Sequence, residues 1–192
     1  MKRAFLLLAL LVQSMVLAAP PASAAEARPY DLGDFIRDDR FVTVKLSPKG
    51  TYVAATVPLS DEDKTVLVIL KPGETKPYGH VTLKDRGTHV ADFWWVNAER
   101  VVASVAEKFG RNDTPSLTGE LIAVNADGKR GKWLASREEY TYAWMHDDLP
   151  DDDRYILITS MSTGENPETA LEKMDVYDGS RSPVASAPVR TA

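Results

Sequence analysis

The 192 residues carry a formal net charge of −5, three histidines and no cysteine. The missing thiols exclude a disulfide framework, thiolate metal sites and cysteine nucleophiles. No basic cluster stands out of this acidic balance to meet phosphate, which argues against nucleic acid as a partner.

Lys2 and Arg3 open the chain, residues 5–12 form an apolar run, and Ala22-Ser23-Ala24 has the small-x-small form that a signal peptidase accepts. Residues 1–24 are therefore expected to be a signal peptide. Gln13, Ser14 and Pro20-Pro21 interrupt the run short of the roughly 20 apolar residues of a membrane-spanning helix. The protein is expected to be exported, periplasmic or secreted, with no membrane contact after cleavage. The remaining 168 residues suffice for one domain, and their charge is −7 once Lys2 and Arg3 are gone.

Residues 25–40 form an acidic leading segment in which Leu32, Phe35 and Ile36 have helical spacing, so one short helix is expected at 31–40. From there the chain reads as strands. Short runs rich in Val, Ile, Tyr and Thr, bounded by Pro, Gly, Asp or Lys, occupy 42–46, 52–57, 66–70 and 78–83. The pattern resumes at 90–96, 100–106, 120–125 and 132–134, and again at 155–160, 173–177 and 183–187.

These strands recur in groups. Leu46-Ser47-Pro48-Lys49-Gly50-Thr51-Tyr52, Trp95-Val96-Asn97-Ala98-Glu99-Arg100-Val101 and Leu149-Pro150-Asp151-Asp152-Asp153-Arg154-Tyr155 each set a polar turn between apolar strands. Tyr52, Val101 and Tyr155 start the returning strands at spacings of 49 and 54, and Gly73, Gly128 and Gly179 mark later hairpins at spacings of 55 and 51. A period near 50 with about four short strands per repeat is that of β-propeller blades. The expected fold is all-β, with about three four-stranded antiparallel blades of an incomplete propeller over 41–192, divided near 41–88, 89–140 and 141–192. A ring of this kind closes with about four to eight blades, so self-association is expected.

The stretch 36–57 with its Leu46-Ser47-Pro48-Lys49-Gly50 turn, the block His89-Val90-Ala91-Asp92-Phe93-Trp94-Trp95-Val96-Asn97, the stretch 118–128 beginning Thr118-Gly119-Glu120-Leu121, and Glu172-Lys173-Met174-Asp175-Val176-Tyr177 carry a further likeness. Together they resemble the N-terminal propeller of bacterial secreted serine peptidases of the prolyl oligopeptidase family. The resemblance implies a non-catalytic part that gates or binds peptide substrates for an α/β-hydrolase domain bearing the Ser-Asp-His triad. A free-standing peptide- or ligand-binding propeller module and an inert truncated gene product are the alternatives. No Gly-x-Ser-x-Gly elbow surrounds Ser47, Ser60, Ser104, Ser116, Ser160 or Ser162, so no catalytic residue is assigned.

No cofactor or metal residue is assigned either. His80, His89 and His146 lack metal-ligand spacing and read as ordinary strand-end histidines. Asp147, Asp148, Asp151, Asp152 and Asp153 lack the central Gly and final Glu of a calcium-binding loop and read as a solvated turn. Asn112-Asp113-Thr114 has the form of a glycosylation acceptor, but Pro115 follows and no role is given to it. Trp94 and Trp95 on one strand must point to opposite faces. One of them is expected to pack between blades, leaving only the other able to meet a ligand.

Overall fold

The computed structural model describes residues 42–110, 114–162 and 168–188, all within one compact unit, Asp39–Ala192. The signal peptide expected at 1–24 and the helix expected at 31–40 lie outside these residues. The described chain is all-β, with two three-residue 3-10 turns, Ser60–Glu62 and Arg137–Glu139, as its helical elements.

Its strands form three consecutive groups of four, each strand antiparallel to the next. The first group is β1 (Val44–Leu46), β2 (Val53–Leu59), β3 (Lys64–Leu70) and β4 (Gly79–Val81). The second is β5 (Thr88–Trp95), β6 (Arg100–Glu107), β7 (Ser116–Asn125) and β8 (Lys132–Ala135). One parallel bridge, Thr65 to His89, joins β3 to β5, so these two groups form a single eight-stranded sheet. The third group, β9 (Thr141–Asp147), β10 (Tyr155–Ser162), β11 (Glu168–Asp175) and β12 (Arg181–Pro188), is a separate four-stranded sheet. β9 falls where the sequence reading places no strand.

The turn between the first two strands of each group is spelled differently but closed in the same way. Ser47 Oγ accepts from the Tyr52 amide (3.0 Å), Asn97 Oδ1 from the Arg100 amide (2.9 Å) and Asp152 Oδ1 from the Tyr155 amide (3.1 Å). A short oxygen-bearing side chain thus captures an amide at, or one residue before, the start of the returning strand, the usual reason for Ser, Asn and Asp in turns. Between the third and fourth strands stand Gly73, Gly128 and Gly179, at φ of +82°, +77° and +79°. Side chains rarely adopt that backbone region, which explains glycine there.

The core has two parts, one on each face of the second group. Ala54, Leu67, Ile69 and Val81 of the first group pack with Phe93, Trp95, Val101, Ala103 and Val105. On the opposite face Val102, Leu121, Ala123 and Leu134 pack with Ala143, Ile156, Ile158 and Met174 of the third group. β6 sits between both parts, and its first seven residues are buried without alternation. A strand covered on both faces needs no polar side.

Candidate functional site

The Trp94-Trp95 pair is sorted by a β-bulge in β5. The pairing of β5 with β6 runs from Val90 opposite Val105 to Asp92 opposite Ser104, leaving Ala91 as the extra residue. Ser104 Oγ satisfies the distorted backbone, donating to Asp92 O (3.3 Å) and accepting from Asp92 N (3.2 Å). An extra residue reverses the facing of everything beyond it. Val90 therefore shares the first core with Phe93 and Trp95 rather than with Trp94. Trp95 is buried, stacks on Tyr52 at a centroid distance of 6.1 Å and donates its indole N–H to Lys45 O (3.3 Å). Trp94 is half-buried and borders open space on two sides.

Two clefts meet at Trp94. One, about 360 Å³, is lined by Lys45, Leu46, Pro48 and Pro150 with Asp148 at its edge. The other, about 210 Å³, lies against Leu117, Gly119, Trp144 and Met145. The ammonium of Lys45 is held by Asp92 Oδ1 (2.7 Å) and by the Phe93 carbonyl, 5.0 Å from the centroids of both the Phe93 and Trp94 rings. Indole faces, proline rings and aliphatic side chains beside a fixed cation and two carboxylates suit an extended peptide with apolar or proline side chains.

A third cleft, about 370 Å³, gathers turn residues of all three groups, among them Lys49, Glu99, Arg130 and Asp153. At its floor Arg100 is 2 % exposed. Its Nε donates to Val176 O (2.8 Å) and its Nη1 to Asn125 Oδ1 (2.6 Å), while the guanidinium carbon lies 4.7 Å from the centre of the Tyr177 ring. Asn97 Nδ2 completes the network, donating to Asp153 O (2.6 Å) and Tyr177 Oη (3.0 Å). Burial lowers the Arg100 pKa from its ordinary value, with Tyr177 and Asp175 acting in the opposite sense. Apart from the Asn125 bond, which stays within the second group, these contacts tie the second group to the third, so Arg100 joins sheets rather than waiting for a ligand.

Four of the serines singled out in the sequence have structural partners. Ser47 caps its turn, Ser104 serves the bulge, Ser160 Oγ donates to Glu172 Oε2 (2.7 Å) and Ser162 Oγ accepts from Glu168 N (3.1 Å). The acidic loop works as a turn. Asp147 caps Leu149 N (2.7 Å), and Asp152 pairs with Lys173 (2.9 Å), which holds its carboxyl below the usual range. Asn112 and Asp113 lie outside the described residues.

His80 and His146 are exposed, on β4 and β9, while His89 is the second residue of β5 in the second group. Among the described residues no group of three or more acidic or histidine side chains is placed to hold a metal ion. His89 Nδ1 lies 3.1 Å from Thr65 Oγ1, and Nε2 is buried with no hydrogen-bond partner among the described residues. Burial lowers its pKa below the ordinary histidine value; nearby Asp63 opposes this and Lys108 adds to it. A folded pKa below the unfolded one means that the unfolded chain binds the proton first. Stability present above roughly pH 6.5 is then lost as the pH falls. Thermal melts from about pH 7 to about pH 5 should show this loss, and His89→Gln should flatten the slope. An unchanged slope in that variant would refute the assignment.

Trp144, Lys45 and Arg100 were not legible as site residues. For Trp144 the available signal was the alternation of Tyr142, Trp144 and His146 with Ala143 and Met145. No family model matches the chain, and no curated protein matches it in sequence.

Proposed function

We propose that the three strand groups are blades of a β-propeller, and that the protein is the non-catalytic propeller part of an exported peptidase resembling the prolyl oligopeptidase family. In this reading it screens and holds peptides for an α/β-hydrolase domain that carries the triad. One observation carries the proposal: the first strands of all three groups, β1, β5 and β9, bring Lys45, Trp94 and Trp144 to two clefts that meet at Trp94. In a propeller the first strand of each blade lines the central passage, where a peptide would travel. The described residues line both clefts by themselves, so binding to this chain alone is the measurable consequence.

Short proline-containing peptides should quench tryptophan fluorescence saturably. Trp94→Ala should weaken that binding about 30-fold, equivalent to the ~2 kcal/mol of a buried aromatic anchor. The half-buried position predicts a nearly unchanged melting temperature for the variant. Equal affinity in wild type and Trp94→Ala, or no saturable binding at all, would sink the proposal.

A further inference from the structure

We infer that the cleft over Arg100 is a carboxylate site, and that it takes the free carboxyl terminus of a peptide whose apolar or proline side chain lies at Trp94. The inference rests on the peptide-holding reading and adds to it the end of the peptide that is recognised.

The floor of this cleft holds a charge without a counterion. The acceptors of the Arg100 guanidinium are Val176 O, Asn125 Oδ1 and Arg130 O, all of them neutral. Of its five N–H donors, those on Nη2 meet only Arg130 O, at 3.4 Å and shared with Nη1. Among the described residues no carboxylate forms an ion pair with Arg100; Asp175 acts on it from further off and is itself held by Arg154. Bonds to neutral acceptors let Arg100 join the sheets, but they do not balance its charge. An unpaired ion that is 2 % exposed is costly.

The rim adds to that charge. Lys49 and Arg130 are exposed, line the cleft and form no ion pair among the described residues. Glu99 and Asp153 line it too, but both are exposed, where water and salt weaken a charge, and neither pairs with the cations. The potential over the floor is therefore positive. About 370 Å³ is room for a carboxylate with its terminal residue, and the Lys49 and Arg130 side chains can give it charge-assisted hydrogen bonds while Arg100 acts from below.

The same three turns border both this cleft and the larger cleft at Trp94. Pro48 lines the Trp94 cleft and Lys49 the other; Val96 and Asn97 divide in the same way, as do Pro150 and Asp153. In two of the turns the step is one residue, about 3.8 Å. An extended peptide with its proline or apolar side chain at Trp94 thus brings its carboxylate over Arg100 within about two or three further residues.

Fluorescence titration of the whole chain with a short proline-containing peptide, as the free acid and as its C-terminal amide, reads this directly. The acid should bind about 10-fold tighter, the effect of one charge-assisted contact, and the preference should shrink at about 1 M salt. Lys49→Gln and Arg130→Gln should each reduce the preference, and the double variant should abolish it. Neither change removes Arg130 O from the Arg100 network, so wild-type melting temperatures are expected. Equal affinity of acid and amide for the wild type would overturn the inference and leave peptide binding standing, whereas binding of neither sinks both proposals. An amide ending in glutamate that binds as tightly as the acid would overturn the terminal assignment, since a side-chain carboxylate would then suffice. A double variant with its preference intact would overturn the site.

Discussion

Replacing Arg100 with Met is expected to lower the melting temperature by about 10 °C, the effect of losing roughly 3 kcal/mol or more in a domain of this size. The methionine keeps the apolar stem but strands Val176 O and Asn125 Oδ1, which take bonds of 2.8 and 2.6 Å from the guanidinium. Arg130 O, 3.4 Å from both terminal nitrogens, loses its donors as well. Relief from burying a charge works in the opposite direction. It does not win, because Val176 O stays buried and Asn125 Oδ1 half-buried in a network whose shape remains, and leaving a buried partner unmet costs about 1–3 kcal/mol per group. Arg100→Lys keeps the charge without the fork and should fall between wild type and Met. Differential scanning calorimetry decides the matter: a methionine variant melting within about 2 °C of wild type would show that the network does not hold the second and third groups together.

Gly79→Ala is expected to be as severe, for a reason of space rather than conformation. A Cβ there would sit 2.2 Å from Ala126 O, 2.5 Å from Gly128 N and 2.7 Å from the Asp127 carbonyl carbon, all backbone of the hairpin joining β7 to β8. Backbone cannot rotate away as a flexible side chain can, so β4 must move off the second group and open the core beside Val81 and Ala126. Overpacking of this kind costs about 3 kcal/mol, the upper part of its usual span. Gly73→Ala is the control. Its Cβ meets nothing within 4 Å, and only its φ of +82° opposes the substitution, which limits the loss to about 1 kcal/mol. Urea denaturation of both variants should order them Gly79 well below Gly73, and the reverse order would remove close approach as the cause.

How much was legible depends on the range of the interactions. Runs rich in Val, Ile, Tyr and Thr such as 66–70 and 155–160, and turns such as Ser47-Pro48-Lys49-Gly50, are local, so most strands and the period near 50 could be read from the chain alone. Even the differing spellings Ser47, Asn97 and Asp152 share one local task, the capture of an amide at, or one residue before, the start of the returning strand. β9 escaped because its large rings, Tyr142 and Trp144, stand on the other face from buried Ala143, so size and burial run out of phase along it.

The sequence by itself determined that Trp94 and Trp95 must face opposite ways, since consecutive side chains of a strand always do. Which one is buried was decided by tertiary structure, through a bulge stabilised by a serine on the neighbouring strand. Arg100 was readable as the start of a strand, but its buried role needs Val176 O, 76 residues further on. Lys45, Trp94 and Trp144 likewise come together only when the three strand groups pack. Strand periodicity records which side a residue faces, whereas the partner across that side is set by packing between segments remote in the chain.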